Sequence, residues 1–410
     1  MPNLHIERGE TVIVDVVQGE LRVGNNATIR AANGKTIVVT QGAVFEGNAQ
    51  IDGDLECDSL ECHSGRLLAN GNLTVHKRLD VGHAIEVQGT IKAQDIDIGG
   101  RIFAGAVICT RIRVGGLADI QNAFEASTVD VGGKVNAPGI VKIGDLRVGG
   151  EAEFGGGSIS GSITVGGKFI SKHPLEFGEL LVYGKGSLPA DCKGHRVSTY
   201  GKLEVDGNLT CDFIEAGGSI EINGDCHAQR VEVGGKLEVC GSLFSDKVEG
   251  YGNTEIEGTL ETGTLRISGK LEANKIIARE AADVSGKIET DQGLKAKQVT
   301  VRSGSQCEGF LIGERVEVGK SMDVGYGGWG MNWAWSWAMA GGMARVEDIY
   351  AKEVVIGPMC KTERIFAENV KLEQGSVVEQ VIFTQELKTN FGVTICQPPR
   401  KVDNLPPPPF

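Results

Sequence analysis

Three consecutive stretches of the chain decide its fold: VEVGGKLEVCGSLFSDK (231–247), VEGYGNTEIEGTLETGT (248–264) and LRISGKLEANKIIAREA (265–281). The stretches are equal in length, and each splits into three pieces in which apolar and polar residues alternate. Such alternation is typical of a strand that buries one face. We therefore interpret each stretch as one turn of a coil that is made of three short strands.

Glycine sets the phase of this repeat along much of the chain. Eleven glycines follow one another at a constant interval, which is the length of one such stretch, and the residue two places before each glycine is most often Val or Ile. A recurring glycine fits a corner where positive φ or a close approach of two backbones leaves no room for a Cβ atom. The predicted corner glycines are Gly116, Gly133, Gly150, Gly167, Gly184, Gly201, Gly218, Gly235, Gly252, Gly269 and Gly286.

The repeat predicts an all-β protein that folds as a single long parallel β-helix. One short turn encloses almost no interior of its own, so neighbouring turns must stack to bury their apolar residues. Such turns rise about 4.8 Å each, so roughly 22 to 24 of them would form a rod on the order of 100 Å long.

Regularity of the repeat divides the chain into segments. The proline-rich end, CQPPRKVDNLPPPPF, is expected to be extended and unable to join a β ladder, as a flexible end or as a docking peptide for an aromatic groove. The predicted segments are less regular β-helix coils at 1–80, regular 17-residue repeats at 81–320, a Gly/Trp/Met-rich insertion loop at 321–345, C-terminal coils and a cap at 346–395, and a disordered tail at 396–410.

Composition and charge argue against several classes of protein. The net charge of −13 opposes general binding of nucleic acid, which requires a basic surface. No secretory signal is recognised at the N-terminus, and no apolar run reaches the ~18 residues of a transmembrane helix. Ten cysteines at irregular spacings do not read as a disulfide framework. We expect a reduced, cytoplasmic protein.

Lysine and glutamate recur just after the glycine corner, and an inward-facing Leu or Ile separates them. Stacked turns should therefore carry a row of lysines beside a row of glutamates. Two interpretations stay open, a solvated and self-neutralised face and a ligand-binding strip. The pairs are Lys202 with Glu204, Lys236 with Glu238, Lys270 with Glu272, and Lys287 with Glu289.

No constellation of residues in the sequence indicates catalysis, a cofactor or a metal. The seven histidines fall at unrelated phases of the repeat, and the cysteines lack the spacing of a zinc site. The stretch GERVEVGKS (313–321) has one residue too many between its glycines for a phosphate-binding loop. We expect a protein that is not an enzyme, with a carbohydrate-active or acyl-transferring β-helix as the remaining enzymatic alternative.

The repeats resemble those of a known family. Runs such as VEVGGKLEVCGSLFSDKVEG (231–250) and GKLEVDGNLTCDFIEAGGSIEINGDCHAQRVEVGG (201–235) are similar to bactofilins, the polymer-forming cytoskeletal proteins of prokaryotes. The resemblance covers about residues 80–320. It implies a right-handed β-helix that assembles end to end into nonpolar filaments without nucleotide and positions other proteins near the membrane or cell wall. This chain is longer than the usual family core, and it carries a tryptophan-rich insertion.

All four tryptophans of the chain lie in the stretch GGWGMNWAWSWAMAGGM (327–343). Two interpretations are open, a loop that packs on the rod and an exposed patch that binds protein partners, including a second copy, or touches a membrane surface. The near-absence of Lys and Arg favours protein over an anionic membrane. The candidate contact residues are Trp329, Met331, Trp333, Trp335, Trp337 and Met339.

The two ends of the predicted rod are apolar, and open β edges must be capped or paired. We therefore predict a self-assembling cytoskeletal scaffold that forms homopolymers end to end and positions client proteins. A β-helical adaptor that binds partners through the tryptophan-rich loop and does not polymerise is the alternative. The candidate polymer-end residues are Val12 and Val14 at one end, and Val381, Phe383 and Phe391 at the other.

Overall fold

A computed structural model describes residues 3–320 and 343–410 of the chain. Its contacts divide the chain into two compact units, Met1–Asp206 and Gly207–Phe410. Each unit is a solenoid of short parallel strands, and the only helical element in the described ranges is a 3-10 turn at Ala32–Gly34. The predicted fold class, an all-β parallel solenoid with a repeat of about 17 residues, is confirmed.

The strands are numbered in chain order. Those of the first unit are β1 Leu4–Ile6, β2 Thr11–Val14, β3 Val16–Val17, β4 Leu21–Val23, β5 Ala27–Ala31, β6 Ile37–Phe45, β7 Ala49–Asp52, β8 Leu55–Cys62, β9 Arg66–Ala69, β10 Leu73–Val81, β11 Ala84–Ile98, β12 Arg101–Val114, β13 Leu117–Ile120, β14 Phe124–Val131, β15 Lys134–Ala137, β16 Val141–Val148, β17 Glu151–Phe154, β18 Gly157–Val165, β19 Lys168–Ser171, β20 Leu175–Val182, β21 Lys185–Pro189, β22 Cys192–Thr199 and β23 Lys202–Asp206. Those of the second unit are β24 Leu209–Ala216, β25 Ser219–Ile222, β26 Cys226–Val233, β27 Lys236–Val239, β28 Leu243–Gly250, β29 Asn253–Ile267, β30 Lys270–Val284, β31 Lys287–Thr290, β32 Leu294–Arg302, β33 Gln306–Lys320, β34 Arg345–Ile356, β35 Lys361–Leu372, β36 Val377–Thr389, β37 Thr394–Ile395 and β38 Arg400–Lys401.

One regular turn consists of three straight arms. Strand β13 forms the first arm, and β14 bends at Ser127 to supply the second and third arms, since the ladder to the next turn skips that residue. Every pair between β14 and β16 has the spacing of one repeat, such as Phe124 with Val141. The predicted three short strands per turn are therefore present.

The core is a column of aliphatic side chains that point inward from all three arms. Along β15 and β16, buried and more exposed residues alternate, which is the pattern that the sequence predicts. The inward residues of that turn are Val135, Ala137, Val141, Ile143, Leu146 and Val148, each at most 2 % exposed.

Close approach of neighbouring backbones, and not positive φ, explains the repeated glycine. None of the corner glycines described has positive φ. A Cβ atom on Gly116 would lie 2.6 Å from the carbonyl oxygen of Gly100, one turn earlier, closer than real Cβ atoms come to other atoms. The same clash with a backbone carbonyl of the preceding turn recurs at Gly133 and Gly235. Of the two reasons that the sequence left open, the structure selects the second.

Register is less regular near the N-terminus than farther along the first unit. Ala27 of β5 pairs with Ala49 of β7, which is a longer offset than in a regular turn, because the 3-10 turn at Ala32–Gly34 is inserted between the arms. Farther along the first unit, the offset settles to that of the regular repeat, as in the pairing of Leu117 with Lys134.

Strands β33 and β34, which flank the tryptophan-rich stretch in the sequence, are direct neighbours in the ladder. Gln306 of β33 pairs with Arg345 of β34, and Val318 pairs with Ile356. The segment from Val318 to Ile356 is therefore one turn with an insertion, rather than two turns. The six candidate contact residues at 329–339 lie outside the described residues, and their role stays a prediction.

The prediction that residues 396–410 form a disordered tail unable to join a ladder is wrong for their first part. Strand β37, which ends just before this segment, pairs with Val377 and Val378. Within the segment, the Cys396 amide donates to the Val378 carbonyl at 2.9 Å, and β38 pairs with Ile382 and Phe383. The ladder tolerates Pro398 and Pro399 because they fall between β37 and β38. The chain thus forms an incomplete turn at 394–402 that covers part of the preceding one.

Candidate assembly surfaces

The first candidate surface is the free edge of strands β1–β3, which we call the N-terminal edge. These strands pair with β4, β5 and β6 on one side, and no strand of the described residues pairs with the other side. Val12 stacks on Ile29, yet Val12 is half-buried whereas Ile29 is fully buried. The inward row of side chains therefore becomes accessible at its last member, as expected where a solenoid core ends at an unpaired edge.

Two of the residues near this edge differ in accessibility from Val12. Val14, a predicted polymer-end residue, is only 4 % exposed and packs inside the first turn. Ile13 lies between Val12 and Val14, points outward, and is 68 % exposed. Of the two predicted N-terminal contact residues, Val12 is the one that can touch another molecule without unfolding the turn.

The second candidate surface is the far side of β36–β38, which we call the C-terminal edge. Two arms of β36 are covered by the short strands β37 and β38. The third arm, residues 386–389, pairs with β35 on one side and with nothing in the described ranges on the other. Leu387 on that arm is half-buried, whereas Val370, on which it stacks, is buried. This edge is therefore partly capped and partly open.

The three predicted residues at the C-terminal end do not form one surface. Val381 is fully buried beneath its neighbours, and Phe383 is half-buried and paired with Lys401. Phe391 is 89 % exposed. Leu387 was missed by the sequence reasoning, although its place in the alternating stretch VVEQVIFTQELKT of β36 could have indicated it.

The predicted rows of lysine and glutamate are present along the first arm. Lys236 lies 2.6 Å from Glu238, and the other three predicted pairs are also in contact. In the second unit, Lys270 additionally reaches Glu289 of the next turn at 3.1 Å. The lysines are about two-fifths exposed, so solvent screens each pair and it contributes little to stability. These contacts match the interpretation of a solvated, self-neutralised face.

Glutamates stack directly on one another along this face of the second unit. Hydrogen bonds from Glu272, Lys287 and Lys270 lower the pKa of Glu289 to about 2. Glu289 thus stays charged at neutral pH, and neighbouring members of the row lie one turn apart, about 4.8 Å. The row consists of Glu221, Glu238, Glu255, Glu272, Glu289 and Glu308.

The cysteines are placed as core residues. All ten carry free thiols, and most are buried. Burial raises the pKa of Cys57, Cys109, Cys211 and Cys307 to about 12, so these thiols stay protonated at neutral pH. A protonated thiol is neither a nucleophile nor a metal ligand. Within residues 3–320 and 343–410, no group of three or more His, Cys, Asp or Glu side chains is arranged to hold a metal ion.

A shallow cleft crosses three turns of the second unit. His227 stacks on Phe244 with ring centroids 4.7 Å apart. Beside them, Arg279 donates to Asp246 at 3.0 Å, and the side chain of Gln229 donates to Asp212 at 2.8 Å. Arg279 and Asp246 of the cleft thus form an ion pair, and the cleft wall includes the buried Cys211.

The third candidate surface is a row of outward-facing residues on the second arm, which we call the tail groove. Ile312 and Phe366 point outward yet are only 7 % exposed. Tyr350 lies between them and stacks on Phe366 with ring centroids 4.5 Å apart, and burial raises the pKa of the Tyr350 phenol. The row consists of Ile277, Lys295, Ile312, Tyr350, Phe366 and Ile382.

The end of the chain reaches the tail groove. The ring of Phe410 lies beneath the Lys275 ammonium group, 4.3 Å from the ring centroid, and 5.8 Å from that of Lys295. Lys295 also donates to the Phe410 carbonyl oxygen at 3.5 Å. The sequence signal for this groove is a pair of adjacent apolar residues, such as Leu311 with Ile312, where strict alternation would place a polar residue second.

Comparisons of the whole chain with protein-family models, curated proteins and solved structures found no match. No helix in the described residues has the length and apolar character needed to cross a bilayer. The structure itself gives the fold, a parallel β-solenoid. Its candidate surfaces are the N-terminal edge, the C-terminal edge and the tail groove.

Proposed function

We propose that this protein is a structural scaffold whose copies assemble end to end into filaments without nucleotide. The observation that carries the proposal is the N-terminal edge, where three strands have an unpaired side and the inward residue Val12 is accessible. An unpaired strand edge presents N–H and C=O groups ready to pair with another chain. The open third arm of the C-terminal edge, with Leu387, is the complementary place for growth.

Pairing of two such edges is favourable on two grounds. Backbone groups that bond to water in the free edge gain partners in the adjoining copy, and the core column continues from one copy to the next. Complete burial of an aliphatic side chain contributes about 1.5–3 kcal/mol, so each half-buried residue at an edge adds roughly 1 kcal/mol. Leu4 and Val12 supply such residues at the N-terminal edge, and Leu387 supplies one at the other edge.

The resemblance to bactofilins supports a cytoskeletal role in the cytoplasm. In this role the filament positions client proteins, and the tryptophan-rich stretch at 327–343 contacts those clients or a membrane surface. The exposed lysine and glutamate rows keep the sides of the solenoid charged, which favours growth at the edges over lateral aggregation.

A charge placed at the N-terminal edge tests the proposal. We expect Val12→Lys to prevent sedimentation of filaments at concentrations where the unchanged chain sediments, because pairing would bury the new ammonium group. Ile13→Lys is the matched control, since it adds the same charge to the same strand on a side chain that already points outward and is 68 % exposed. Circular dichroism of both variants checks that the solenoid persists. Equal sedimentation of both variants would contradict assembly through this edge.

A second candidate function is an adaptor that does not polymerise, and the incomplete turn at 394–402 favours it. That turn covers two arms of β36, as a capping segment does. An adaptor would bind its partners through the tryptophan-rich stretch. Replacement of Trp333, Trp335 and Trp337 by Ser should then abolish partner capture and leave the state of assembly unchanged.

A further inference from the structure

The tail groove buries outward-facing side chains that a free solenoid surface would leave in water. Each arm alternates inward and outward residues, so Ile312 and Phe366 belong to the outer surface, yet both are 7 % exposed. Tyr350 between them is half-buried. A covering segment must therefore lie over this row.

The length of residues 403–410 matches the length of the row. The Val402 amide donates to the Phe383 carbonyl at 2.9 Å, and Phe410 lies beside Lys295. Eight residues in polyproline geometry span about 25 Å. The four steps from Ile382 to Lys295 span about 19 Å at about 4.8 Å per turn. An extended segment DNLPPPPF is therefore long enough to reach from Ile382 across Phe366, Tyr350 and Ile312 to the observed position of Phe410 beside Lys295.

The chemistry of segment and groove is that of polyproline recognition. Proline-rich segments dock in aromatic-lined grooves, because their extended conformation is preformed and little entropy is lost on binding. Tyr350 and Phe366 supply the aromatic lining. Lys275 and Lys295 hold the Phe410 ring through cation–π contacts at the far end of the groove.

We propose that the tail groove also accepts residues 403–410 of a second copy, so that two copies exchange tails. The groove begins beside the C-terminal edge, and in one chain the tail must reverse direction at Asp403 and Asn404 to enter it. In an exchanged pair the tail continues forward into the groove of a copy whose C-terminal edge faces its own. Every contact made within one chain is made again between two, which is the condition for exchange of an identical segment at low cost.

Tail exchange makes its contacts in the tail groove and leaves the N-terminal edge free, and so it goes beyond the proposed end-to-end assembly. Within one copy the tail is favoured by its tether, which gives an effective concentration of about millimolar for a short linker. Unmodified chains should therefore exchange tails only slowly and at high concentration. When one variant lacks its own tail and the other cannot hold its tail in its own groove, the tail of the second should bind the groove of the first readily.

The test uses full-length variants that cannot bind themselves. A tail variant has residues 405–410 replaced by Gly and Ser, which empties its groove. A groove variant has Lys275→Glu and Lys295→Glu, which releases its own tail, and a second groove variant carries Tyr350→Ser in the aromatic part of the groove. Circular dichroism confirms the fold of each variant. The lysine variant changes only side chains on the outer surface, and so it keeps the test valid if Tyr350→Ser unfolds.

Both variants also carry Val12→Lys, which separates tail exchange from end-to-end assembly. We expect a 1:1 complex when the labelled tail variant and the groove variant are mixed, measured by analytical ultracentrifugation and fluorescence anisotropy. The complex should form at least tenfold more tightly than the self-association of a chain that carries Val12→Lys alone, and each variant by itself should stay uncomplexed.

Absence of the mixed complex would overturn the proposal. A synthetic peptide DNLPPPPF then identifies the reason. If the peptide binds the tail variant but the two variants form no complex, the groove accepts proline-rich peptides and excludes a second copy. If the peptide binds the tail variant equally tightly with and without Tyr350→Ser, the groove is not the binding site.

Discussion

At each regular corner, glycine is needed because the backbone of the preceding turn passes where a Cβ atom would be. Gly235 illustrates the point, since a methyl group there would meet the carbonyl oxygens of Gly218 and Gly217. Those oxygens belong to the ladder that joins the turns, as in the bond from the Lys236 amide to the Gly218 carbonyl at 2.7 Å. A side chain at this corner therefore disturbs the hydrogen bonds that hold the stack together.

We predict that Gly235→Ala lowers the free energy of unfolding by about 2 kcal/mol, as overpacking of a close-packed site does. Gly234→Ala is the matched control, because its Cβ atom would lie 3.8 Å from the nearest atom, the Ala216 carbonyl oxygen, at ordinary contact distance. Urea denaturation of both variants measures the difference. Equal midpoints for the two variants would show that close approach does not constrain this corner.

The thiols give a second prediction for single residues. Burial raises the pKa of Cys211 and Cys307 to about 12, and it raises the pKa of Cys226 further, so all three stay protonated and enclosed at pH 8. Cys396 is exposed. We expect a thiol reagent at pH 8 to modify Cys396 within minutes and the three buried thiols only after denaturation, as read by peptide mass spectrometry. Rapid labelling of Cys211 in the folded chain would contradict its placement in the core.

At the scale of the element, the glutamate row makes stability depend on pH. Hydrogen bonds from Glu272 and from two lysines lower the pKa of Glu289 from 4.5 to about 2. A carboxylate with a lowered pKa in the folded state contributes stability that is complete above pH 4.5 and is lost as the pH falls toward 2. The rows on the first arm are thus a source of acid sensitivity.

We predict that Glu289→Gln reduces the loss of stability between pH 4.5 and pH 2, measured as the change in thermal midpoint across that window. Glu257→Gln, which removes an exposed carboxylate of the same solenoid, serves as the control and should retain the dependence of the unchanged chain. An acid profile of Glu289→Gln that is identical to that of the unchanged chain would contradict the role of this carboxylate.

The strands and their stacking could be predicted from the sequence because both follow from local patterns. Alternation identifies each arm, and a glycine such as Gly133 marks the corner in nearly every turn. The interruption of the repeat is visible in the sequence for the same reason, since its phase breaks after Val318, and β33 and β34 pair directly at an offset longer than one repeat. These signals depend only on residues that are close together in the sequence or one turn apart.

The tail and its groove could not be predicted in this way. The ring of Phe410 lies against Lys275 and Lys295, which come many turns earlier in the chain, and no periodic signal connects them. Pro398 and Pro399 led to the prediction that this segment cannot join a ladder. The sequence alone does not show that both prolines fall between two short strands. At the N-terminal end, alternation identified Val12 and Val14 equally, and only the stacking distinguishes the accessible residue from the buried one.

At the scale of the whole molecule, the two solenoid units bury aliphatic columns that reach accessible residues at the N-terminal edge and at one arm of the C-terminal edge. A repeat protein whose ends carry polar caps stays monomeric, and one whose strands stay unpaired joins other copies. Within residues 3–320 and 343–410, the N-terminal edge pairs on one side only and the C-terminal edge is partly capped. Its function as a scaffold therefore depends on whether these edges pair.

The most direct measurement is negative-stain electron microscopy of the purified protein at several concentrations without nucleotide. We predict continuous filaments that become longer and more numerous as the concentration rises, and that are absent for Val12→Lys and present for Ile13→Lys. Isolated particles of constant length at every concentration would contradict the scaffold, and they would favour the adaptor.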